Sequence, residues 1–128
     1  MTQRTQAFAT VLVVDRDHSL RLTARRLLES EGYLVLDACD AAAAEQLATL
    51  YVGPIHVLLV EMDVPTTGAQ ALSDRVRRLH PDIKVLIASD RPRRDLSSRP
   101  GSATPIVRKP FEKRRLVDDI RRVLAGPR

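Results

Sequence analysis

A chain of 128 residues with 44% hydrophobic side chains can bury one core without help from disulfides or metal. Its four aromatics, Phe8, Tyr33, Tyr51 and Phe111, leave that core to Leu, Val, Ile and Ala and argue against the stacking platforms of single-strand nucleic-acid binders. The net charge of +5 hides an asymmetry: residues 1–64 carry five Arg against nine acids, and residues 65–128 carry sixteen Lys and Arg against seven acids.

Cys39 is the only cysteine, so no intrachain disulfide can form, and it is expected to be a small buried hydrophobe. No basic segment leads into a long apolar run, and no apolar stretch approaches about 18 residues. Neither a signal peptide nor a membrane span is therefore expected, and the default location is cytoplasmic.

Residues 1–9 lack periodicity and read as a lead-in to a domain spanning 10–125, with 126–128 as a tail. Thr10 to Val14 is the first strand. Asp17 can cap the next helix, in which Leu20, Ala24, Leu27, Leu28 and Glu31 share a face and Gly32 marks the stop. Tyr33 to Leu36 is a second strand, and Asp40 opens an Ala-rich helix from Ala41 to Leu50, terminated by Gly53-Pro54.

The third strand, Ile55 to Val60, is a short apolar run ending abruptly in Glu61 and a Pro/Gly turn, the pattern of a parallel strand buried on both faces. A third helix runs from Gly68 to Leu79, with Ala71, Leu72, Val76 and Leu79 apolar, and His80-Pro81 stops it. Ile83 to Ala88 is a fourth strand, ending in Ser89-Asp90. Between Pro92 and Pro100 only Leu96 is large and apolar, so a fourth helix there is expected to be weak or frayed. Pro105 to Arg108 is the fifth strand. Glu112 to Leu124 is a strong last helix, with Leu116, Val117, Ile120, Val123 and Leu124 at helical spacing. Strands alternating with helices predict right-handed βαβ units and one parallel sheet covered on both faces.

In such sheets, sites form at the carboxyl ends of strands. Three polar strand ends, Asp15-Arg16-Asp17, Glu61 and Arg108-Lys109-Pro110, therefore suggest a single site. His18, His56 and His80 lack metal-ligand spacing and nucleophile partners. The loop after the first strand has no Gly, which excludes a dinucleotide fingerprint and a P-loop.

The order of an acid cluster after strand one, an acid then Pro and Gly after strand three, Ser after strand four and Lys-Pro-Phe after strand five resembles bacterial response-regulator receiver domains. The motifs Val11-Leu12-Val13-Val14-Asp15, Val85-Leu86-Ile87-Ala88-Ser89 and Val107-Arg108-Lys109-Pro110-Phe111 carry the resemblance, which spans about Thr10 to Leu124. It implies a flavodoxin-like sheet with strand order 2-1-3-4-5 and phosphoryl transfer from a histidine kinase to an aspartate. It also implies a cis Lys109-Pro110 bond.

Two positions depart from that pattern. Glu61 stands at the acceptor position, and Arg16 stands where the second acid would ligate Mg²⁺. The turn from Pro65 to Gly68 is one residue short, and Ile106 stands where the family often has Tyr or Phe reporting the state of Ser89, the switch hydroxyl. Asp15, Arg16, Glu61 and Lys109 sum to zero charge, whereas a working site of three acids and one Lys is net −2. Arg cannot ligate a metal, so Mg²⁺ binding is expected to be lost. Asp17 and Asp63 are alternative acids, better explained as a helix cap and a loop acid. A longer carboxylate at 61 and a cation at 16 are complementary, which predicts a salt bridge from Glu61 to Arg16, Lys109 or both.

The resemblance implies a degenerate, non-enzymatic receiver acting through protein contact. In the family, the region around the last two helices meets partners. Here it holds Arg91, Arg93, Arg94, Arg99, Arg108, Lys113, Arg114, Arg115, Arg121 and Arg122, which points to an acidic protein partner. The reading also leaves a homodimer open. The alternative reading is a basic nucleic-acid-binding module of the same fold, supported by charge alone.

Overall fold

The computed structural model describes residues 9–64, 67–90 and 104–126. The expected weak helix between residues 92 and 100, the lead-in up to residue 8, Pro65, and residues 127 and 128 of the tail lie outside the described residues. The described elements alternate: β1 (Thr10–Val14), α1 (His18–Glu29), β2 (Leu34–Ala38), α2 (Ala41–Leu50), β3 (Val57–Glu61), α3 (Ala69–Leu79), β4 (Lys84–Ser89), β5 (Ile106–Arg108) and α4 (Lys113–Ala125). All four strand pairings are parallel and the order is β2-β1-β3-β4-β5, as the resemblance implied.

Strand alternation sorts the core into two layers. Leu12, Val14, Leu58, Val60, Val85 and Ile87 face α2 and α3, where Ala41, Ala44, Ala48, Leu72 and Val76 meet them. Val11, Val13, Val57, Leu59, Leu86 and Val107 face the opposite way, against Ala24, Leu28, Leu116 and Ile120 of α1 and α4. Because β1 and β3 are covered on both faces, they show no polar alternation and read as continuous apolar runs. Each fully buried Leu or Val there contributes about 1.5–3 kcal/mol relative to an exposed one.

The helix starts follow local chemistry. Asp17 accepts from the Leu20 amide at 3.2 Å, and Asp40 from the Ala43 amide at 2.8 Å, so one orphan donor is satisfied at each Asx start. Gly68 precedes α3 instead of opening it, with φ at 83°, a conformation that favours Gly. Glu112 likewise flanks α4 as its cap position.

Some expectations need correction. β2 extends to Ala38, two residues past Leu36, because Asp37 is an edge-strand acid neutralised by α1 rather than a strand stop. Cys39 is exposed, not buried, since it follows the last residue of β2 and leaves the sheet. α2 has its expected bounds, Ala41–Leu50, but Tyr51 already turns to extended backbone before Gly53 is reached. Leu79, at the last turn of α3, is 47% exposed instead of joining the core. Glu61 and Ser89 are the final residues of β3 and β4 rather than the first residues beyond them.

Candidate functional site

Parallel register brings the polar strand ends together. Val14 lies beside Val60, Glu61 beside Ala88, and Ser89 beside Arg108. Three main-chain bonds prolong the sheet past its strands: Asp15 N to Ala38 O at 3.1 Å, Met62 N to Ala88 O at 2.8 Å and Lys109 N to Ser89 O at 2.9 Å. Asp15, Glu61, Ser89 and Lys109 therefore share one end of the sheet, and the first three are buried. The Lys109-Pro110 bond is cis.

Glu61 is 4% exposed and closed in by cations. Its Oε2 accepts from the main-chain amide of Arg16 at 2.7 Å, its Oε1 lies 3.6 Å from Arg16 Nε, and Lys109 Nζ is 4.0 Å from the same oxygen. Both expected cations thus lie within ion-pair distance of Glu61. Yet the shortest contact is to a backbone amide that sequence patterning does not reveal. The Arg16 side chain stays 62% exposed, so its guanidinium covers the site from outside.

Lys109 is committed elsewhere: Nζ donates to Asp15 Oδ2 at 3.0 Å. Asp15 Oδ1 in turn accepts from the Asp17 amide at 2.9 Å. The ammonium sits between two buried carboxylates, within hydrogen-bond distance of one and ion-pair distance of the other. No buried side-chain N or O among the described residues lacks a partner. Such closure is what makes a buried charge cluster tolerable.

The remaining candidates fall around this cluster. Asp17 caps α1. Asp63 is exposed two residues past Glu61, in the turn after β3. Ile106 of β5 pairs with Ile87 and packs, partly buried, on the α2/α3 side of the core. Arg114 and Arg115 are exposed on the first turn of α4, while Lys113 and Arg121 pair with Glu31 at 3.5 Å and 3.1 Å. Arg91, Arg93, Arg94 and Arg99 lie outside the described residues.

The residues present do not fit Mg²⁺. A hard divalent cation needs several oxygens free to converge. Here both carboxylates already accept internal donors, the Arg16 guanidinium lies 3.6 Å from Glu61, and no group of three His, Cys, Asp or Glu side chains among the described residues can hold a metal.

Sequence reading missed a second polar cluster alongside the first. Arg21 Nη1 donates to the Asp15 carbonyl at 2.9 Å, its Nη2 is 3.1 Å from His18 Nδ1, and its Nε lies 3.7 Å from Asp37 Oδ1. Arg25 Nη1 donates to Asp37 Oδ2 at 2.6 Å, and bonding to Asp37 and Glu29 raises the Arg25 pKa above its ordinary value. The available signal was two Arg four apart on α1, opposite an acid inside an otherwise apolar strand.

No family model matches the chain. The chain is 30% identical over 81 residues to the sensor kinase CckA of Brucella abortus (strain 2308), a match covering 63% of this chain and 9% of that protein. The chemotaxis protein CheY4 of Vibrio cholerae superposes with a TM-score of 0.78 at 25% identity, covering 91% of this chain and 99% of that one. The receiver domain of the hybrid histidine kinase CckA gives 0.77 at 23% identity, with 91% and 99% covered. A response-regulator receiver domain from Clostridium thermocellum gives 0.76 at 22% identity, with 91% and 94% covered. The fold is that of CheY-like response-regulator receivers.

Proposed function

We propose that this chain is a receiver-like module of a two-component phosphorelay pathway that works by protein contact, without phosphorylation and without catalysis of its own. The likeness to receiver structures and to part of a sensor kinase supports the pathway. The observation that carries phosphorylation-independence is the buried Glu61 carboxylate, held by the Arg16 amide with the Arg16 and Lys109 cations beside it. In phosphoryl transfer, a carboxylate must be free to attack in line while Mg²⁺ and a Lys neutralise the phosphoryl oxygens. Here Glu61 occupies that space itself, as a built-in anion standing partly in for a phosphorylated acceptor. In this reading Ser89, the last residue of β4, and Ile106, the first of β5, take the switch roles.

Acetyl phosphate with Mg²⁺, and calorimetric Mg²⁺ titration, test this on three proteins. Wild type is expected to take neither phosphoryl group nor metal, and Glu61→Asp alone still fails because Arg16 pairs with the shorter acid and keeps metal out. Arg16→Asp combined with Glu61→Asp restores the net −2 site and recovers Mg²⁺ binding. Tight Mg²⁺ binding by wild type, or phosphorylation of Asp63 detected by mass spectrometry, refutes the reading.

The partner is an acidic protein surface meeting α4, through Arg114 and Arg115, together with Arg91, Arg93 and Arg94. A second copy of the chain is a further candidate for that face. Binding to generic duplex DNA that weakens steeply with salt would instead favour a nucleic-acid module.

A further inference from the structure

The turn Asp15-Arg16-Asp17 presents the Arg16 amide to Glu61, so the residue that fixes this turn governs the cluster's geometry. Three of its contacts come from residues already described: Ala38 O takes the Asp15 amide, Asp15 Oδ1 takes the Asp17 amide, and Glu61 takes the Arg16 amide. A further one comes from Arg21, whose Nη1 holds the Asp15 carbonyl.

Arg21 can reach the turn because helical side chains lean towards the N-terminus, and its own amide makes the first bond of α1, to Asp17 O at 3.0 Å. Its side chain is 15% exposed, and the same guanidinium lies 3.7 Å from Asp37 on the edge strand β2. Arg25, one turn further on, binds the other oxygen of Asp37 and pairs with Glu29 on its own helix. Two arginines thus share one acid, and only one of them touches the site.

We propose that Arg21 is a positioning residue of the Glu61 cluster, a clamp that ties the edge strand β2 to the β1–α1 turn and so keeps the Arg16 amide on Glu61. A planar guanidinium can hold a carbonyl with one nitrogen and a carboxylate with another, whereas a lysine ammonium has one centre. The clamp also gives the exposed α1/β2 edge a physical route to the buried carboxylate, because Asp37 is 28% exposed. This goes beyond the signalling reading and does not depend on whether the chain can be phosphorylated.

The test is amide hydrogen exchange and ¹⁵N–¹H shifts of the full chain, comparing wild type with Arg21→Met, Arg21→Lys, Asp37→Asn and Arg25→Lys. In both Arg21 variants the Arg16 amide should exchange about tenfold faster and its resonance should move, while the core amides of Leu58 and Val60 keep their protection. Asp37→Asn should produce a smaller change of the same kind. Arg25→Lys disturbs a shorter ion pair to the same acid and should leave the Arg16 amide unchanged. An Arg16 amide unaltered in both Arg21 variants overturns the proposal. So does equal acceleration in Arg25→Lys, or acceleration shared by Leu58 and Val60, since either makes Arg21 a general stabiliser and not a clamp on the turn.

Discussion

At the carboxyl end of the sheet, charges are buried and closed on one another, whereas along α4 they lie exposed and loosely held. Asp15, Glu61 and Lys109 are 2%, 4% and 11% exposed, and every one of them contacts another member of the cluster. On α4, by contrast, Arg121 is 63% and Arg122 78% exposed, each bonded to a single acid. Desolvation separates the two regions. Buried charges must have partners and lose much when one is removed, while exposed pairs are worth roughly 0–1 kcal/mol. The first region is therefore part of the architecture, and the second is a solvated surface.

The largest effect should come from Lys109→Met. It leaves Asp15 and Glu61 facing each other without their shared cation and should cost about 3–5 kcal/mol in urea denaturation. A loss below 1 kcal/mol would mean that the cluster is hydrated and the contrast with α4 is false. Gly68→Ala comes next. Among the described residues nothing lies within 4 Å of an added Cβ, so backbone strain at φ 83° is what counts, and about 1–2 kcal/mol is expected. A larger loss would point to a steric neighbour instead.

Charge reversal on α4 should do the opposite of Lys109→Met. Arg114→Glu with Arg115→Glu is expected to stay within about 0.5 kcal/mol of wild-type stability. It should nevertheless weaken capture of the acidic partner proposed above and flatten the salt dependence of that binding. Unchanged affinity would remove this face from the argument.

The smallest effect concerns Asp119, whose pKa is raised mainly by burial, against the pull of Arg122 and Arg115. A carboxyl with a raised folded-state pKa binds its proton more tightly in the folded state. Stability therefore falls as pH rises from the ordinary Asp value through the folded one, and stays lower above it. Asp119→Asn should abolish that small decline, and melting curves collected from pH 3 to 7 would detect it. An undiminished decline would assign it to other carboxylates.

Much of this molecule could be read directly from the residues. Apolar runs such as Leu58-Leu59-Val60 need burial on both faces, so a parallel sheet under two helix layers follows from hydrophobicity and spacing alone. Asp17 and Asp40 mark helix starts because their short carboxylates reach amides three residues on, a purely local event. The zero net charge of Asp15, Arg16, Glu61 and Lys109 was likewise legible, as was the complementarity of a longer acid at 61 with a cation at 16.

Tertiary structure decided how those charges are shared. Parallel register set Lys109 against Asp15 ahead of Glu61 and turned a backbone amide, which has no sequence identity, into the shortest contact of Glu61. The continuation of β2 through Asp37 depended on Arg21 and Arg25 arriving from α1, and the exposure of Cys39 on where that strand ended. Patterning can predict which side chains seek burial. Which donor reaches which acceptor depends on distances of a few tenths of an ångström, and only the packed chain sets those.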